Sequence, residues 1–269
     1  MNAHQETMKQ AYTSTMTRAN AVIRTGFALS LLAGVAAVLA GLGSRLVWWH
    51  FMTGFTILQI AAIGGVVAAA ISLVGGITVR HEHHPSAFVL AAAGILIGLV
   101  TAGIPWSWLH AAKAMPPIHD ISTDTVNPPQ FVSIMPLRQN AENSATYEGP
   151  IVAAQQQTYY ADIKPVILPI AASTAFEYAL RTAKDRGWNI VAADASAGRI
   201  EAMATTFWFG FKDDVVVRIT PAPGGSRVDV RSVSRVGLSD VGTNAKRIRS
   251  FLRKLADSSS IDKSYSIEY

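Results

Sequence analysis

The chain has 269 residues, of which 50% are hydrophobic and only 15% charged, with 23 Lys and Arg against 18 Asp and Glu and no cysteine. The charged share is well below the roughly 25% of soluble globular proteins, and the mean hydropathy of +0.26 is correspondingly high. That balance argues against a wholly soluble chain, and the lack of cysteine excludes a disulfide scaffold.

The deficit of charge is concentrated at the N-terminal end. After a polar tail over residues 1–24, the runs 25–44, 51–79 and 85–112 contain no Asp, Glu, Lys or Arg. Each is about as long as the 20 helical residues that cross a bilayer core of about 30 Å. Residues 25–112 are therefore expected to form three transmembrane helices, making the protein integral to a membrane. Trp48, Trp49, Trp106 and Trp108 fall at the ends of the runs, where amphipathic rings favour the headgroup layer. Gly64-Gly65 and Gly94-Ile-Leu-Ile-Gly98 supply small-residue faces for close helix packing. With no ionisable carboxylate, lysine or arginine in mid-span, a proton relay or ion path has no candidate.

Sidedness follows from the basic residues, which are retained on the cytoplasmic side. Lys9, Arg18, Arg24 and Arg80 lie on one side, Arg45 and Lys113 on the other. The N-terminus is expected in the cytoplasm and the C-terminal domain across the membrane, which in a bacterial inner membrane means the periplasm. Gly41-Leu42-Gly43-Ser44 is a poor signal-peptide cleavage site, so the first span is expected to stay. The loop Arg80-His81-Glu82-His83-His84 offers imidazoles, but consecutive loop positions rarely converge on one ion, and no metal site or cofactor is assigned.

Residues 113–150 read as an extended segment. Six of the twelve prolines fall between Pro116 and Pro150, and proline both fixes the backbone and removes a donor. Ile118, Ile121, Phe131, Val132 and Ile134 are apolar enough to dock the segment on the following domain, residues 151–269. There Thr174-Ala-Phe-Glu177 matches a capping box, and Phe176, Ala179, Leu180 and Ala183 mark one face of a helix ending at Gly187. Strand pairs are predicted over 188–193 with 199–205 and over 215–219 with 227–236, and a final helix carries Ala245, Ile248, Phe251, Leu252 and Leu255 inward. The soluble part is thus expected to be α+β: an antiparallel four-stranded sheet with two helices on one face, helix-grip-like by analogy of element order.

Polar residues group on that framework. On the last strand Arg227, Asp229, Arg231 and Arg235 share a face by the two-residue period, joined from the neighbouring strand by Asp214 and by Arg218 near Asp229. With Arg249 and Arg253 of the last helix they form a candidate binding surface for an anionic lipid headgroup or an acidic protein partner, on a sheet face expected to be open. Residues 114–269 carry 17 basic and 16 acidic side chains, so nucleic acid is not implied. A second group, His119, Asp120 and Asp124 in the extended segment with Asp213 and Asp214 at a strand start, is the candidate structural or functional motif. His119, Asp120 and Ser122 resemble a triad fragment, but neighbours in an extended chain point apart and no G-x-S-x-G elbow occurs. No catalytic residue is assigned. A non-catalytic displayed domain is favoured over a membrane-anchored hydrolase using the His119/Asp120 region.

The segments PPIHDISTD (116–124), FKDDVVVRITP (211–221) and SRVDVRSVSRVGLSDVGTNAKRIRSFL (226–252) resemble the bacterial domain-of-unknown-function 1499 family. The resemblance covers essentially the whole soluble region, departing at Thr125 and Ala161, where prolines are common. It implies hydrophobic spans ahead of the domain, as here, and supplies no activity.

Overall fold

The computed structural model describes residues 2–79 and 85–265, which form two compact units, Met1–His110 with Trp208–Gly210, and Ala111–Phe207 with Phe211–Tyr269. The loop holding Arg80 and His81 to His84 lies outside the described residues.

The first unit is built on α1 (Asn2–Arg45), α2 (Phe51–Thr78) and α3 (Pro85–Ala114). All three are long and apolar enough to cross a membrane. The 44 residues of α1 reach about 66 Å at 1.5 Å each, so the polar tail is helical too. Packing rests on small residues. A Cβ built on Gly65 would lie 2.7 Å from the Gly98 carbonyl oxygen, and one on Gly98 2.4 Å from that of Gly65. The Ser30 hydroxyl donates to the Gly94 carbonyl at 2.7 Å. Gly64 is looser, meeting only the Ala33 methyl at 3.9 Å.

Trp208, Phe209 and Gly210 complete this unit. The Trp208 indole N–H donates to the Val38 carbonyl at 3.1 Å, and the Ser44 hydroxyl donates to the Phe209 carbonyl at 3.2 Å. Gly41 and Gly54 make the room: a Cβ on Gly41 would sit 2.1 Å from the indole, and one on Gly54 2.9 Å from the Phe209 ring. Gly41, which in sequence read only as part of an unsuitable cleavage site, is the seat of an aromatic side chain.

The second unit contains β1 (Asp120–Ser122), a 3-10 turn (Met135–Arg138), α4 (Pro150–Tyr159), β2 (Val166–Leu168), α5 (Ala172–Asp185), β3 (Asn189–Asp194), β4 (Arg199–Thr205), β5 (Lys212–Ala222), β6 (Gly225–Ser234) and α6 (Thr243–Tyr265). The sheet has six antiparallel strands rather than four, ordered β1-β6-β5-β4-β3 with β2 also on β6. The added strands have three residues each, too short for an alternation to show. They occupy successive stretches of one edge of β6. The β5–β6 hairpin closes through Pro223-Gly224, with Ala222 paired to Gly225 and Gly224 at φ 80°, the positive φ that a glycine takes after proline in a type II turn. Helix α5 begins at Ala172 without a side-chain cap, so Thr174 and Glu177 lie inside the helix and make no capping box. Ala175, Phe176 and Ala179 face the core.

The sheet has an apolar face and a charged one. On the first, Ile200, Ala202, Val215, Val217, Ile219, Val228 and Val230 pack against Phe176, Ala179, Ile248, Phe251 and Leu255 of α5 and α6. Trp188 stacks on Phe251 at 5.1 Å between centroids. The other face, expected to be open, is covered. The proline-rich chain after β1 crosses it as a strap, and Phe131, Ile134 and Ala145 bury Val216 and Val233 there.

Candidate functional site

The strap is held down by charge. Along β6 the side chains of Arg227, Asp229, Arg231 and Val233 point to it in turn, with Arg235 just past the strand end, and β5 adds Asp214, Val216 and Arg218. The two-residue period places them there; pairing of Arg218 with Asp229 across the hairpin sets their register.

At the centre Arg231 is 0% exposed. Its Nε and Nη2 donate to the two Asp120 oxygens at 2.9 and 2.6 Å, the parallel fork for which a guanidinium is suited. Its remaining donors reach the strap carbonyls of Pro129 and Ala145 at 3.2 and 2.7 Å. The rings of Phe131 and Tyr147 lie 5.1 and 5.4 Å from the guanidinium carbon. Burial pushes the Asp120 carboxyl above its ordinary value, against the pull of Arg231, and burial together with Asp120 pushes the Tyr147 phenol up to about 12.

Toward the Pro223-Gly224 turn, Arg218 and Arg227 both bind Asp124 and Asp229 at 2.9–3.2 Å. The Thr123 hydroxyl bridges from Asp229 to the N–H of Val230. Partial burial raises the Asp124 carboxyl, but N–H groups of Asn127 and Val126 and the two arginines outweigh it and hold the group below its usual range. At the opposite end Asp214 is shared by Arg235, at 2.9 Å to each oxygen, and Arg138. Arg235 also donates to the Leu137 carbonyl at 2.7 Å.

Two anchors had no sequence signal. Glu201 of β4, 0% exposed, accepts the N–H groups of Val132, Ser133 and Ile134 at 2.9–3.1 Å and Arg199 Nε at 3.0 Å. It read as one more polar residue in a strand, because its backbone donors lie 67 to 69 positions away. Gln156 of α4 holds β1 by donating to the Ser122 carbonyl and accepting its N–H, at 2.6 and 2.9 Å.

The residues singled out from sequence thus divide. Arg218, Asp229, Arg231, Arg235, Asp120, Asp124 and Asp214 line one sheet face as a lattice of three ion-pair groups, mostly buried. Asp213 does not join its neighbour: adjacent strand residues point to opposite faces, and Asp213 binds Arg247 beneath α6. The two are the second and third residues of β5. His119 supplies its backbone carbonyl to Asn244 Nδ2 and the Ser234 N–H, while its ring lies 3.8 Å from Glu148. The Ser122 hydroxyl donates to the Asp124 carbonyl. Imidazole, carboxylate and hydroxyl therefore do not converge. Arg249 and Arg253 stand apart on α6; both are exposed, with Arg249 on Asp162 and over the Tyr160 ring.

Chemically, this lattice is a latch. Its carboxylates accept from guanidinium forks, and Arg218, Arg231 and Arg235 also donate to the strap carbonyls of Asn127, Pro129, Ala145 and Leu137. No group of three or more His, Asp or Glu arranged to hold a metal ion occurs among the described residues.

No curated protein matches the sequence significantly. A family model described as protein of unknown function (DUF1499) matches residues 120–255, just over half of the chain and bounded by the two elements that the latch and the apolar core tie together, β1 and α6. The chain belongs to the DUF1499 family.

Proposed function

We propose that this is a non-catalytic membrane protein that displays its α+β domain on the periplasmic side of a bacterial inner membrane, where the domain binds anionic lipid headgroups. The observation that carries the reading is the saturation of the latch. Arg218, Arg231 and Arg235 are committed to internal carboxylates, so an enzyme would have to open the domain to use Asp120 or Asp214. Of the candidate binding surface Arg249 and Arg253 on α6 stay exposed, and we add to them the exposed Lys246 of α6 and Lys212 at the start of β5. Each cation near an anionic membrane adds about 1 kcal/mol of attraction, declining over a Debye length of about 8 Å.

The test uses the full chain. Native mass spectrometry of the protein released from mixed phosphatidylethanolamine–phosphatidylglycerol membranes should show retained phosphatidylglycerol, reduced when Lys246, Arg249 and Arg253 are replaced by Gln. Equal retention of both lipids would reject the reading, and a stoichiometric acidic protein in the same spectra would replace lipid with a protein partner. For sidedness, alkaline phosphatase fused after Tyr269 should be active, and fused after His84 inactive; the reverse pattern overturns the topology.

A further inference from the structure

Helices α1 and α2 pack closely through small residues. A Cβ built on Gly75 would lie 2.6 Å from the Ile23 side chain and 3.3 Å from that of Val22. Beside this seam the two helices leave a groove. Val22 of α1 and Val66, Val67, Ala70, Ile71 and Val74 of α2 line about 390 Å³, with no polar atom in the wall. Val66, Ala70 and Val74 follow one another at one-turn intervals on one helix face, and all three are exposed. The groove therefore opens where an alanine interrupts a row of valines, and it runs about 12 Å along α2 at 1.5 Å per residue.

The walls decide what can fill it. Helix contact within a membrane relies on small residues that let backbones approach, as Gly65 and Gly98 do here. Five of the six lining residues are instead β-branched and stiff about χ1. They hold a second helix off while keeping a fixed slot for a slimmer apolar chain. Both α1 and α2 are able to cross a membrane, where acyl chains are the surrounding medium. At one end the groove meets a charge. Arg18 precedes Val22 by four residues, so it lies on the same face of α1, one turn nearer the N-terminus. It is exposed and pairs with no carboxylate among the described residues. Its neighbour Ala19 packs in one cluster with Val79, just past the end of α2. Arg18 is thus level with the end of the uncharged run 51–79, where a spanning helix reaches the headgroups.

We infer that this groove is a site for one anionic phospholipid, in which an acyl chain lies along α2 from Val74 to Val66 and the phosphate meets the Arg18 guanidinium. The site belongs wholly to the helical unit. It is separate from the headgroup surface proposed for the soluble unit and does not depend on it.

The absence of cysteine allows a direct test with single labels on the full chain in phosphatidylcholine nanodiscs. A bimane fluorophore on I63C, one turn before Val66 and Val67, reports from the deep end of the groove without filling it. L96C on α3, equally exposed but outside the groove, is the reference. The quencher is a small fraction of either phosphatidylglycerol or phosphatidylethanolamine carrying a nitroxide at mid-chain. At 63, half-quenching should need about fivefold less of the phosphatidylglycerol, the preference that one cation near a membrane surface supplies. At 96 the two lipids should quench alike. Arg18→Gln should remove the preference and Arg18→Lys keep it. Ala70→Phe, which fills the slot from an exposed position, should remove it at an unchanged melting temperature. Equal quenching of 63 by both lipids overturns the inference, as does a preference that survives Arg18→Gln or a folded Ala70→Phe. Protection of 63 from both lipids also overturns it and assigns the groove to a second protein chain. Replacing Lys246, Arg249 and Arg253 together by Gln keeps the two lipid claims apart. The preference at 63 should persist in that variant, and its loss there would return the selectivity to the soluble unit and overturn the groove.

Discussion

The two faces of the soluble sheet are covered by opposite means. On one, valines and isoleucines of β4, β5 and β6 meet α5 and α6 in an apolar core. On the other, a proline-rich strap with only one short 3-10 turn in its middle lies over a row of arginines and carboxylates. The helices satisfy their own backbone groups, so apolar contact suffices to hold them. The strap has no such internal bonding, and a buried backbone group left without a partner is costly. Its N–H groups are met by Glu201 and its carbonyls by Arg231, Arg235 and Arg218. The charges are on this face because a covering without secondary structure requires donors and acceptors from what lies beneath.

Removing one partner of the buried charge face should do the greatest damage. Arg231→Ala leaves Asp120 uncompensated and is expected to cost about 3–5 kcal/mol, read by denaturation of the detergent-solubilised protein. The double change Arg231→Met with Asp120→Leu should recover much of that loss; a double variant no better than the single would mean that the strap carbonyls, not the ion pair, dominate. On the apolar face Ile248→Ala should cost about 2–5 kcal/mol, but without exposing the strap. Limited proteolysis draws the distinction: Arg231→Ala should admit cleavage between 125 and 147, and Ile248→Ala should not do so before global unfolding.

A smaller effect is expected at Glu201→Gln. The amide keeps the shape but loses charge-assisted acceptance, so about 1–3 kcal/mol should be lost, with hydrogen exchange accelerated at Val132, Ser133 and Ile134. Similar protection of these amides in wild type and variant would show that the strap is held elsewhere.

Acid separates individual carboxylates. Burial raises Asp240 to about 6 against the N–H groups of Asn244 and Gly242 that it caps. The folded state thus binds its proton more tightly than the unfolded chain does, and this residue makes stability fall as pH rises from about 4 to about 6. Asp124, held low, acts with the opposite sign: its contribution is present above its ordinary value and lost as pH falls through the lowered one. Asp240→Asn should accordingly gain on the wild type in melting temperature as pH rises across that window; a constant difference would refute the assignment. The smallest change is expected at Arg249→Gln, whose pair with Asp162 is exposed on both sides and should cost under about 1 kcal/mol.

Much of this fold was legible because its signals are local. Three uncharged runs specify helices able to span a membrane, and the alternation Val215, Val217, Ile219 beside Val228, Val230 specifies a hairpin with an apolar face. The same period placed Arg227, Asp229 and Arg231 together and Arg218 opposite Asp229. β1 and β2 escaped because three residues carry no period. Glu201 escaped because a buried carboxylate is known by its donors, and these come from the strap.

By itself, then, the sequence determined which side chains share a face, since side-chain direction follows from the period of the backbone. Whether the arginine face met water or protein was decided only by the path of the strap. A proline-rich chain has no periodicity that records what it covers, and the bonds that hold it join positions up to 107 residues apart, as Thr123 and Val230 are.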